Sequence, residues 1–202
     1  YLQAPEVAGE PEILHVVGRT RERPRRYFYR KRVGVVWDAW VELDLPIESD
    51  WVLPTVFGGA LHLFWMETKD EKGEFNFTPE ELSAWLPDLL IKCTYYELTL
   101  VGRRKGRADD DWSDPIRSTT AVSTYNYQFT ESTPPRILDL SALRLSTRTD
   151  DSVLRVYITY RPYAEDSEQE TSAHAMGYFE FDPCVGSFRA RSFSVSGTDR
   201  TK

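Results

Sequence analysis

The sequence predicts a mainly β protein of antiparallel strands, arranged as a meander, a sandwich or a propeller-like domain, with one short helix near residues 79–86. Three observations predict it. Tyr27 to Trp65 holds four strand-like segments joined by short turns, the unit of propellers and sandwiches. Gly34 and the pair Gly58-Gly59 stand where tight turns need positive φ. Aromatics make up 13% of the chain, with six Trp, which suits rings stacked across strands.

Residues 1–12 lack periodicity and read as a lead-in. Ile13 to Val17 is a short strand. Arg19 to Arg32 carries eight basic residues, read as a solvated loop and a charged strand edge, with phosphate or acidic glycan as the functional alternative. Tyr27 to Lys31 and Val36 to Leu43 pair about Gly34. Trp51 to Phe57 and Leu61 to Met66 form a second hairpin about Gly58-Gly59, and Pro54 assigns the first of these strands to an edge or a bulge.

Residues 68–76 are charged and read as a loop. Thr78-Pro79-Glu80-Glu81 has the form of a helix start, with Leu82, Trp85 and Leu86 as an apolar stripe and Pro87 as the stop. Leu89 to Val101 is the longest strand-like run, and Arg103 to Asp111 is a charged loop. Trp112 to Val122 resumes the strand pattern. Its Trp112-Ser-Asp-Pro115-Ile echoes Trp37-Asp-Ala-Trp40-Val, and Tyr95-Tyr96 echoes Phe28-Tyr29, which points to repeated β units. Thr124 to Pro135 reads as a long connection. Ile137 to Leu145, Val153 to Tyr160, Met176 to Phe181 and Phe188 to Val195 complete the strands. The chain is thus read as one β-rich domain over 13–197, with a subdivision point near 124–135 and a tail at 198–202. It opens on Tyr1 rather than Met, the pattern of a piece of a longer protein.

A net charge of −7 argues against nucleic acid as the main partner, because phosphate binding needs a dominant basic surface. No run of about 18 apolar residues is present, so no membrane span is expected, and no signal-peptide pattern is visible. Two cysteines, Cys93 and Cys184, are too few for a disulfide framework, and a bridge between them stays open. Neither has neighbouring soft ligands at a metal spacing, so no metal and no cofactor are expected.

His15, His62 and His174 are far apart in sequence and read as packed or exposed neutral residues rather than bases. The carboxylate groupings Asp44 with Glu48 and Asp109 to Asp111 fall in loops and read as solvated. Nucleophile-elbow, P-loop and dinucleotide fingerprints are missing. No catalytic, cofactor-binding or metal-binding residue is therefore assigned, and no binding residue is singled out. Tryptophans are the best candidates for function, since exposed indoles stack on sugars and anchor interfaces. Trp37, Trp65 and Trp112 occupy strand positions and are expected in the core.

An aromatic triplet, a basic turn, W-x-x-W-x-x-[LI]-D, an acidic connector and a G-G-bearing strand pair ending L-F-W follow one another here. Trp37, Trp40, Val41, Leu43, Asp44, Ile47, Pro54, Gly59, Leu61, Leu63, Phe64 and Trp65 carry this pattern. Over residues 26–117 it resembles the neuraminidase-like region of the A component of bacterial insecticidal toxin complexes. The acidic turn, Ile47-Glu48-Ser49-Asp50-Trp51, is shorter than is usual in that family.

The resemblance implies a secreted, oligomeric toxin and virulence subunit with a shell around a channel. Within it, this domain would be non-catalytic and would help hold the shell closed until a pH change. Expected partners are other domains and subunits of the same toxin, in a homo-oligomer of the full-length protein, with a host glycan or receptor as a further partner. A working sialidase needs three converging arginines and a Tyr/Glu pair, and the spacing here marks no such set. A pH-responsive role follows from the resemblance, in which the three histidines charge in mild acid and the acidic loops lose charge lower still.

Overall fold

The computed structural model describes residues 2–3, 11–47, 49, 51–77, 89–106, 111–125, 138–150, 153–161, 174–182 and 186–192. They form a mainly β protein with antiparallel sheets and no closed barrel, as the sequence predicts. The expected helix at 79–86 lies outside the described residues, as does most of the connection at 124–135. The chain divides into two compact units. Unit 1 comprises Tyr1–Glu67 and Leu100–Arg117; unit 2 comprises Thr68–Thr99 and Ser118–Lys202.

In unit 1 the first sheet holds β1 (Leu2–Gln3), β2 (Ile13–Arg19), β3 (Tyr27–Val33), β4 (Val36–Trp37) and β5 (Val41–Leu43). It runs in the order β1-β2-β3-β4, and β5 also pairs with β3. Leu2 and Gln3, inside the expected lead-in, pair with Leu14 and Ile13. Val36 to Leu43 is not one strand: β4 and β5 are separated by Asp38–Trp40.

The second sheet supplies β6 (Leu53–Phe57), β7 (Ala60–Phe77), β8 (Leu89–Gly106), β9 (Ile116–Arg117) and β10 (Val122–Ser123), in the order β10-β8-β7-β6 with β9 on β8. Strand β6 ends that order, where a proline such as Pro54 is tolerated. Gly58 and Gly59 have φ of 56° and 71°, and positive φ at both central residues is the hairpin geometry that matches strand twist. The core of unit 1 lies where the two sheets face each other. Tyr27, Tyr29, Leu43 and Ile47 pack with Leu61, Leu63, Trp65 and Val101. Trp112 closes it from the side, its ring edge-on to Tyr29 with centroids 5.9 Å apart.

Unit 2 holds β10, the Thr68–Phe77 stretch of β7, the Leu89–Thr99 stretch of β8 and a four-stranded meander. The meander is β11 (Leu143–Asp150), β12 (Val153–Tyr160), β13 (His174–Asp182) and β14 (Ser187–Ser192), each pairing with the next. Strand β12 alternates strictly, burying Leu154, Val156, Ile158 and Tyr160, which is the signature of a strand with one covered face. Register shifts between Ile158 and Thr159, a bulge beside Gly177. Asp139 accepts a hydrogen bond from Ser141 N at 2.9 Å and caps the helical turn Leu140–Ala142 that leads into β11.

Two stretches read as loops are strand. Residues 68–76 continue β7, and Arg103–Gly106 continue β8. Thr68, Lys69 and Asp70 are all exposed, so neither face is apolar and alternation vanishes, while the backbone ladder does not depend on side-chain polarity. Conversely, Trp112 to Val122 supplies only the two-residue strands β9 and β10.

Candidate interaction surface

Alternation along β3 sends Tyr27 and Tyr29 into the core and Phe28, Arg30 and Arg32 to the outer face. On β2, Gly18, Val16 and Leu14 stand opposite these three. On the other side β5 pairs with Tyr27–Tyr29 and β4 with Arg32–Val33, and Asp38 N donates to Lys31 O at 2.9 Å between them. The short excursion carries Trp37 and Trp40 back across the outer face.

The guanidinium of Arg30 lies between the two indoles, 4.0 Å from the Trp37 centroid and 4.7 Å from that of Trp40. Arg32 stacks on Trp37 at 5.4 Å, and Arg26 stacks on Phe28 at 5.5 Å. Cations and ring faces attract through the ring quadrupole, so the outer face is a ladder of alternating rings and guanidiniums. Trp40 reaches over Gly18, where a Cβ would be 3.6 Å from its Cη2. The Nε of Arg30 and of Arg32 are buried without a hydrogen-bond partner. Arg26 differs: its Nε donates to Glu42 at 2.6 Å, its Nη2 also meets that carboxylate, and this bond holds the Glu42 carboxyl below its usual range.

Trp37 and Trp40 remain 40% and 47% exposed, which corrects the expectation that Trp37 is core. The reason is topological: Trp37 ends a two-residue strand on the uncovered face, and its partner there is Arg30. Trp65 is buried as expected, and Trp112 is half-buried. Val36 and Val41 oppose Val33 and Tyr29 at the sheet edge, and the turn residue Val35 joins them. They are 65%, 60% and 91% exposed, an aliphatic edge distinct from the ring ladder.

Beneath this face His15 is buried, its Nδ1 2.9 Å from the Tyr29 hydroxyl and its ring stacked on that of Tyr29. Burial, and secondarily the charge of Asp38, pushes the Tyr29 hydroxyl up to about 12. His62 stacks on Phe64 with centroids 5.7 Å apart, and its Nε2 is 3.2 Å from Phe57 O. Burial lowers its pKa to about 4, assisted by Arg104 and opposed by the Phe57 carbonyl. His62 thus stays neutral in mild acid, which corrects the expectation that all three histidines charge there. His174 is exposed on β13.

Asp44 and Asp111 are exposed, whereas Glu48, Asp109, Asp110, Trp85 and Cys184 lie outside the described residues. The backbone of Cys93 lies in β8. Among the described residues no three His, Cys, Asp or Glu side chains group closely enough to hold a metal ion, and no helix is long and apolar enough to cross a membrane. Much of the basic stretch is absorbed locally: Arg19 stacks on Trp51 at 5.4 Å, and Arg25 donates to Arg21 O at 3.0 Å.

A family model described as neuraminidase-like domain matches residues 1–162. The chain belongs to this family. No curated protein matches it. All of the ring ladder and the aliphatic edge fall within the matched span of the neuraminidase-like domain. Sequence reasoning singled out Trp37, Trp40 and Val41 for this domain and placed Arg30 and Arg32 only within the wider basic stretch Arg19 to Arg32; it missed Val35 and the pairing of each arginine with a ring. The available signal was spacing: Phe28, Arg30 and Arg32 share one strand face, with two indoles three residues apart just beyond the turn.

Proposed function

We propose that this neuraminidase-like domain is a non-catalytic contact domain of a secreted bacterial toxin-complex A subunit. It contributes to the subunit's oligomeric shell and to the shell's pH-dependent opening. The observation that carries this reading is the aliphatic edge Val35, Val36 and Val41, exposed where most other large apolar side chains among the described residues are covered. Support also comes from the family, whose domains occur in such A components, and from the W-x-x-W and G-G motif set at Trp37 to Trp65. An exposed aliphatic edge suits side-chain docking of a protein neighbour, which would remove about 25 cal/mol of unfavourable hydration per Å² covered.

The test uses the full-length subunit. Val36→Ser combined with Val41→Ser should weaken its oligomer in native mass spectrometry and shift the pH at which the shell opens. An oligomer of unchanged stability that opens at an unchanged pH would remove the proposal. The exposed indoles of Trp37 and Trp40 favour a second reading, a carbohydrate- or receptor-binding module.

A further inference from the structure

We infer that the outer face of the four-stranded meander in unit 2 docks an acidic segment of a partner polypeptide, one carrying two carboxylate side chains about five residues apart. The inference stands apart from the oligomer reading, because it uses β11–β14 and not the aliphatic edge.

Strand β12 turns Leu154, Val156 and Ile158 to the core, so Arg155 and Tyr157 lie on its other face. Register fixes what shares that face. Arg148 stands opposite Arg155, Arg155 opposite Glu180, and Glu180 opposite Arg189. Two residues along, Tyr157 and Tyr178 pair with centroids 5.3 Å apart, and Arg191 stands beyond Tyr178.

Cations outnumber carboxylates here. Arg155 holds Glu180 at 2.7 Å, and Arg189 holds Asp182, on the same face, at 3.1 Å. Arg148 and Arg191 are exposed and form no ion pair or hydrogen bond among the described residues. Arg148 also faces Arg155 directly across the β11–β12 pair, and like charges so placed repel. A carboxylate arriving at Arg148 relieves that repulsion and gains a two-pronged guanidinium contact. Arg191 offers the same contact at the diagonal corner of the face.

The two corners set the length of the occupant. Three inter-strand steps and an offset of two residues separate Arg148 on β11 from Arg191 on β14, about 16 Å between attachment points. An extended peptide covers that distance in about five residues. Between the corners, the Arg155–Glu180 pair and the two tyrosines present no net charge, so uncharged residues suit the intervening positions. The whole chain carries a net charge of −7, so a long polyanion overrunning the patch would meet repulsion, whereas a short segment ends within it. Strands β13 and β14 lie beyond the matched residues 1–162, so the face is built partly from chain that the family model does not cover.

The experiment follows the fluorescence anisotropy of a labelled glycine–serine peptide, bearing two glutamates about five residues apart, as the 202-residue chain is added at low salt. Binding is expected, and high salt should weaken it. Arg148→Gln and Arg191→Gln should each weaken it about three- to tenfold. Lys72→Gln, at an exposed position on β7, should leave it unchanged. The same peptide with its glutamates adjacent should bind several-fold more weakly. In the wild-type chain, NMR amide shifts on adding peptide should concentrate on β11 and β14, a readout that needs no variant. Absence of any shift at about 1 mM peptide would overturn the inference. So would binding that both arginine variants leave intact, or equal binding of the adjacent-glutamate peptide. Tighter binding of single-stranded DNA or a sulfated polysaccharide, lost in the same variants, would assign the face to a polyanion and overturn the inference. Self-association of the chain lost in those variants would assign the face to a second copy and overturn it too.

Discussion

Gly177 offers a direct test of the packing in unit 2. It lies on β13 opposite Ile158, beside the register shift, and pairs with Ser192 on its other side. A Cβ at this position would lie 2.7 Å from the carbonyl oxygen of Arg191 and 3.1 Å from both Cγ atoms of Val122. The first obstruction is backbone, held in the β13–β14 ladder, and cannot swing away as a side chain can. The second belongs to Val122, which is fully buried. Gly177→Ala must therefore push β13 and β14 apart or displace β10, an overpacking that costs about 1–3 kcal/mol. For a chain of this length each kcal/mol lowers Tm by about 2–4 °C, so a fall of roughly 2–12 °C is expected. Differential scanning calorimetry with urea unfolding at 25 °C would measure it. Adding Val122→Ala to Gly177→Ala should relieve the side-chain clash alone, so the two losses should sum to more than the double variant shows. A Gly177→Ala chain that melts together with the parent would refute the reasoning.

Other outcomes follow from the same interactions. His62 binds its proton less readily in the folded chain, with a pKa of about 4 against 6.5, so the unfolded state takes up more protons between those values. Stability should consequently fall as pH drops from 6.5 to 4, by on the order of 3 kcal/mol, and His62→Leu should flatten that region of the urea-midpoint profile. Tyr29→Phe removes the hydroxyl that meets buried His15 Nδ1 and should cost about 1–3 kcal/mol in urea unfolding with the circular dichroism spectrum retained. Arg155 and Glu180 face each other across β12 and β13 at 2.7 Å, each about a quarter exposed. A double-mutant cycle with Arg155→Met and Glu180→Gln should give a coupling of about 0.2–1 kcal/mol that shrinks in high salt.

Strands with one covered face were the legible portion of this fold. Val153 to Tyr160 alternates apolar with polar because β12 buries one face, and Gly58-Gly59 marks its hairpin because only glycine takes both positive φ values cheaply. Where burial is absent, the pattern is silent. The Thr68–Asp70 segment of β7 extends the ladder with both faces wet, so nothing in its side chains distinguishes strand from loop. Trp37 misled for the opposite reason. Its size and strand position suggest a core, yet hydrophobicity alone cannot distinguish a ring covered by a second sheet from one covered by an arginine of its own sheet. The candidate surface was half visible, through its indoles. Its cations were hidden in a stretch whose charge invites a reading as solvent-facing loop, and pairing each arginine with its ring requires the register of β3 with β4.

The break between β4 and β5 has a further effect. A straight outermost strand of seven residues beside β3 would present an uninterrupted row of free amides and carbonyls, onto which any extended chain could zip, and then another onto that. Here Asp38–Trp40 divides the row into pieces of two and three residues, too short to template a new strand. The greasy rim formed by Val35, Val36 and Val41 can therefore be left uncovered without seeding fibrils, and whatever binds there must fit its shape rather than extend its ladder.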